Sequence, residues 1–181
     1  IGFPRSRSVS FDQQRLQSRD QPIDLLRVIV EATRDTEAAP AANLDDFKAL
    51  CEQIKKDGMT PIAFGDKDGW PAMGTFDILN MRVNGYQFHI DLMAHKVAWD
   101  DPKVKKVFST WAELLPLHQA DPLGRTWQEA AQALQTKKAG MYLLGLFVTQ
   151  EMTANLDDVD FFTFPEIDST IGADALDAPI D

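Results

Sequence analysis

From residue 43 onward, apolar positions recur with helical spacing, interrupted by three short apolar runs. Leu44, Phe47, Leu50, Cys51 and Ile54 form the apolar stripe of a first helix running through Lys56. Asn43 with Asp46 supplies its N-cap and first-turn acid, and Gly58 suits its C-terminal side. The apolar runs at 61–64, 140–145 and 160–164 read as strands, the last closed by Pro165. Helical patterns also cover 72–83 and 86–96, broken by Asn84-Gly85. Asp100-Asp101-Pro102 opens a further helix through Leu115, with Val104, Val107, Phe108, Trp111, Leu114 and Leu115 as its stripe and Pro116 as its stop. Thr126-Trp127-Gln128-Glu129 is a capping box, in which hydroxyl and carboxylate satisfy the first amides of a helix to Lys138. One or two helical turns fit 147–152. Upstream, 22–36 reads as a helix because Ile23, Leu26, Ile29 and Val30 share one side, and 38–42 reads as a linker. The order predicts an α/β fold in which helices cover a small sheet.

Charge divides the chain. Before Thr36 there are six arginines against five acids; from Thr36 onward there are 12 basic residues against 23 acidic. The boundary is therefore placed at the linker, with an atypical arm, helix and linker over 1–42 and an α/β lobe over 43–181. The net charge of −10 argues against a nucleic-acid partner and against anionic lipid, both of which need a basic face. The single cysteine excludes an internal disulfide, and its apolar register marks it as a buried thiol. No apolar run is long enough to cross a bilayer as a helix. The first residues carry two arginines with no apolar region behind them, so no intact secretion signal is expected in this chain.

The candidate chemistry lies in 60–71, TPIAFGDKDGWP. A buried strand leaves at Gly65 into a polar loop holding Asp66, Lys67 and Asp68, with Trp70 and Pro71 at its far end. In open α/β sheets ligands bind beyond the C-terminal ends of strands. An indole face beside charged hydrogen-bonding groups suits a sugar, which has apolar C–H faces and a hydroxyl rim. The plainer alternative makes Trp70 a core residue and the charges the solvated part of a turn. Asp66 and Asp68 also allow a second reading, a hydrolase acting on glycosides through paired carboxylates. Gly65-x-x-x-Gly69 lacks the Lys-Ser/Thr of a phosphate loop, and no Gly-x-Ser-x-Gly elbow is present. His89, His95 and His118 have no recognised ligand spacing, so neither a metal nor a cofactor is expected. Trp99, Trp111, Trp127 and the Phe161-Phe162-Phe164 cluster read as packing residues.

Four motifs then carry a resemblance: LDDFKALCEQIKKDGMTPIAFGDKDGWP, TWQEAAQAL, KAGMYLLGLF, and DVDFFTFPEID with its APID ending. In order and spacing they resemble the C-terminal lobe of extracellular sugar-binding proteins of ABC importers, over about residues 44–181. The resemblance implies a periplasmic-binding-protein-like lobe, non-enzymatic, one of two that close on a small-molecule sugar about a hinge. It implies Lys67, Asp68, Trp70 and Phe147 as ligand-binding residues, a membrane permease as partner, and a periplasmic or extracellular, surface-attached location. Residues 1 to about 40 do not look like the family's N-terminal lobe, and the chain stops where the family's chain would cross back into that lobe. Leu146 stands where the family commonly has a small polar residue. A third reading is an interaction module, since a lobe without its neighbour leaves interface surface for self-association.

Overall fold

The computed structural model describes residues 27–31, 41–153 and 159–172. The arm before residue 27, most of the linker and residues 173–181 lie outside the described residues. Helix α1 spans Leu44–Lys56; extended Asn43 accepts the Asp46 N–H at 2.9 Å, as its sequence required. Gly58, at φ 84°, turns the chain into strand β2 at Thr60–Ala63. Helices α2 (Trp70–Asn84) and α3 (Tyr86–Met93) meet at Gly85, whose φ of 86° breaks the helical path. Helix α4 spans Pro102–Leu114, and a 3₁₀ turn at Leu115–Leu117 takes up Pro116. Thr126 completes the predicted capping box on α5, Trp127–Gln135. Strand β3 is Ala139–Leu144, followed by a 3₁₀ helix at Leu146–Glu151 and strand β4 at Val159–Thr163.

One expectation is overturned. Where 22–36 was predicted as a helix, Arg27–Glu31 forms a strand, β1. Val28-Ile29-Val30 is a β-branched run, stiff at the first side-chain torsion and suited to a pleated surface. Its coincidence with helical spacing did not outweigh two neighbouring strands. β1 pairs antiparallel with both β3 and β4, so the sheet order is β2-β3-β1-β4. The segment that charge set apart thus places a strand inside the sheet of the lobe.

β2 and β3 run parallel, with Thr60 opposite Ala139 and Ala63 opposite Tyr142. β3 is buried along its whole length because both of its faces are covered. Met141 and Leu143 join a core with Phe47, Cys51, Ile54, Ile78, Leu79 and Val107 under α1, α2 and α4. Tyr142 and Leu144 join the opposite core with Ala130, Ala131, Leu134 and Val148 under α5. Alternate residues serve opposite layers, which is why the strand reads as an unbroken apolar run. Cys51 is fully buried in the first core, and burial pushes its thiol up to about 12, in agreement with an inert thiol.

His118 follows the 3₁₀ turn at Leu115–Leu117, where the Gln119 N–H donates to the Ile62 carbonyl of β2 at 2.8 Å. Its ring meets Phe64 edge-on at 4.8 Å, and its Nδ1 has no hydrogen-bond partner among the described residues. Burial lowers its pKa from 6.5 to about 4, because the imidazolium would lose its hydration there. The folded pKa is depressed, so below pH 6.5 the unfolded chain takes up a proton that the folded chain refuses. Stability is complete above pH 6.5 and falls by about 2 kcal/mol by about pH 5 and about 3 kcal/mol by about pH 4. Urea unfolding of parent and His118→Gln across this range checks it; the same slope in both would assign the loss to other groups.

Candidate functional site

β2 delivers the chain to Gly65, and the loop that follows is held by its own backbone. Asp66 N–H donates to the Pro122 carbonyl at 2.8 Å and Lys67 N–H to the Arg125 carbonyl at 3.0 Å. The Asp66 Oδ1 accepts the Ala72 N–H at 2.9 Å, so this carboxylate caps α2 from outside the helix. Gly69 precedes α2 at φ 80°, a left-handed conformation that costs glycine little, and lacks a side chain with which to cap it. Pro71 sits at the helix start, where no backbone donor is needed.

Three aromatic rings meet beside this loop. Trp70 lies 5.7 Å from Phe147 and 6.2 Å from Trp127 between ring centroids. Trp127 and Phe147 close the triangle at 5.2 Å, with planes 86° apart. All three are half-buried and rest on the core beneath α5. Each stands at a helical start: Trp70 opens α2, Trp127 opens α5, and Phe147 is the second residue of the 3₁₀ helix after β3. β2 and β3 are parallel, so both deliver their chains to the same edge of the sheet. The rings therefore gather where a doubly covered sheet presents its ligand edge.

Trp70 and Phe147, expected at the site, are brought together. Lys67 and Asp68 are exposed on the adjoining loop, and Leu146 is half-buried next to Phe147. Asp66 is engaged as a helix cap, so the carboxylate pair of the hydrolytic reading has one member committed to structure. Trp127 was read as a packing residue, and it does pack against the core beneath α5, where its ring also closes the triangle. A signal for it was present: like Trp70, it is a tryptophan at the first position of a helix, directly after that helix's cap. Its carbonyl accepts from the Tyr142 hydroxyl at 3.4 Å. Burial raises the pKa of that phenol, and the Asp66 charge adds to the effect, so it is a neutral donor beneath the rings. The Glu129 carboxyl is held below its usual range first by the Thr126 N–H, with Lys67 and Arg125 adding positive potential. Among the described residues no cluster of three or more His, Cys, Asp or Glu side chains is placed to hold a metal ion.

The chain matches the family model of bacterial extracellular solute-binding proteins over residues 17–174. It is similar to the solved structure of the bacterial solute receptor AcbH, described as having an exclusive preference for β-D-galactopyranose. The two are 46% identical with a TM-score of 0.82, over 87% of this chain and 42% of that one. A chitin oligosaccharide binding protein shares the fold at 23% identity and a TM-score of 0.71, over 79% of this chain and 38% of that one. An uncharacterized ABC transporter extracellular-binding protein of Pyrococcus horikoshii is 31% identical over 138 residues, 73% of this chain and 32% of that relative. The chain spans well under half the length of these relatives.

Proposed function

The chain belongs to the bacterial extracellular solute-binding protein family, and on that premise we propose that it carries a carbohydrate-binding lobe of a receptor serving an ABC importer. The lobe is the unit drawn over 43–181, joined by the strand at Arg27–Glu31. The observation that carries the reading is the triangle of Trp70, Trp127 and Phe147 at the shared end of β2 and β3. Its rings offer apolar faces to a pyranose, and exposed Lys67 and Asp68 lie within the same loop to bond ring hydroxyls. Charge-assisted bonds of that kind set orientation, while ring contact supplies most of the affinity. The family and its solved neighbours are binding proteins, so no reaction is assigned to the site.

A galactopyranose is the first ligand to test, because the 46% identical neighbour is described as selective for that sugar. The location proposed is outside the cytoplasmic membrane, with a membrane permease as partner. Among the described residues no helix is long and apolar enough to cross a membrane. Isothermal titration with galactose, glucose, several disaccharides and a set of amino acids and peptides tests the reading. Saturable heat with a pyranose is expected; binding of an amino acid or peptide and of no sugar would overturn it.

A further inference from the structure

We propose that Arg125 is the positioning residue of the aromatic platform. Trp70 and Trp127 open different helices; their rings share contact with Phe147 and with one core, while the loops that carry them meet elsewhere. What joins those loops is the seam between the end of β2 and the 120–126 loop. The Arg125 Nη1 donates to the Ala120 carbonyl at 2.7 Å, the Phe64 carbonyl at 3.3 Å and the Asp121 carbonyl at 3.5 Å. One cation thus gathers acceptors from both sides of the seam. Asp121 has a left-handed φ of 54°, which a side-chain donor to its carbonyl helps to hold. The backbone of Arg125 adds the bond from the Lys67 N–H at 3.0 Å, so the residue ties the seam with main chain and side chain together.

A charged donor to carbonyls is stronger than a neutral one, and the planar guanidinium loses little freedom in making several such bonds. The consequence for the site is preorganisation. With the seam closed, the two indoles stand 6.2 Å apart at 67° before ligand arrives. With it open, a ligand must order both loops from its own binding energy, and affinity falls accordingly.

Two readouts test this in the full chain. The first is the exciton couplet of the indole pair in circular dichroism, which depends steeply on ring separation and angle and requires no ligand; Trp70→Phe identifies it by removing it. The second is affinity for galactose, which rests on the sugar-binding reading above. Arg125→Met is expected to weaken the couplet and lower affinity about tenfold, the loss of one preorganised contact set. Arg125→Lys, which keeps the charge without the planar fork, should fall between Arg125→Met and the parent in both. Val107→Ala, in the opposite core, should lower Tm while leaving couplet and affinity as in the parent. A parent-like couplet in Arg125→Met overturns the proposal, as does an equal loss of couplet in Val107→Ala. Should Arg125→Met fail to fold, Arg125→Lys decides: a couplet below the parent's supports the proposal and one equal to it overturns it. If the parent binds no sugar, the sugar reading fails, and the couplet still decides the role of Arg125.

Discussion

Gly65→Ala should be the most damaging single-methyl change in the lobe, costing about 3 kcal/mol or more, at the upper end for overpacking. A Cβ at this position would lie 2.2 Å from the Thr126 carbonyl oxygen and 2.6 Å from its carbon, with the Arg125 oxygen at 3.1 Å. All three are backbone atoms, so no rotamer change relieves the contact. Thr126 is moreover the N-cap of α5, and Arg125 ties the same seam, so moving them disturbs a helix start and a loop together. Gly58 is the control: it has a φ of 84° but nothing within 4 Å of an added Cβ. Gly58→Ala should cost about 1 kcal/mol, from left-handed backbone alone. Urea unfolding of both variants separates steric closure from backbone preference. If Gly65→Ala costs no more than Gly58→Ala, the tight seam is not a feature of the protein in solution.

Trp70→Ala should lower affinity for a pyranose about a hundredfold, a loss of roughly 2.7 kcal/mol, as for a central aromatic anchor. Its effect on stability should be smaller than for a ring within the core. A fully buried aromatic costs about 3–5 kcal/mol on truncation to alanine. Trp70 is half-buried, and its ring meets those of Trp127 and Phe147. Two such contacts at roughly 0.5–1.5 kcal/mol each put the loss near 2 kcal/mol. The structure places Trp70 at the rim of the core, and the proposed reading adds a platform role to the same residue, where the sequence presented the two as alternatives. Melting and titration of parent and variant decide between them. A melting temperature lowered as for a core tryptophan, with affinity unchanged, would return Trp70 to the core alone.

Much of the lobe was legible because its signals are local. Asn43 finds the Asp46 amide, and Thr126 and Glu129 satisfy each other, within a single helical turn. The run in β3 announced a strand because the sheet covers it on both faces, and Gly85 announced a break through its own backbone freedom. Lys67, Asp68 and Trp70 were readable as one loop because they are neighbours on the chain, and Phe147 through the motif around it. Family resemblance favoured the sugar reading, which the residues of the loop had left beside a core reading and a hydrolytic one.

Tertiary structure decided what depends on distant partners. Val28-Ile29-Val30 carries both a helical spacing and a β-branched composition, and the choice fell to strands over a hundred residues away, with Val28 opposite Leu143 and Phe162. Trp127 looked like any helix-start aromatic until Trp70 and Phe147 stood beside it. Asp66 looked like half of a reactive pair until it was found capping the Ala72 amide. A cap or a turn is satisfied within a few residues, so its chemistry is written in adjacent letters. A strand's neighbour or a ring's third partner is chosen by which surfaces the folded chain brings into contact, and that choice leaves no short-range pattern to read.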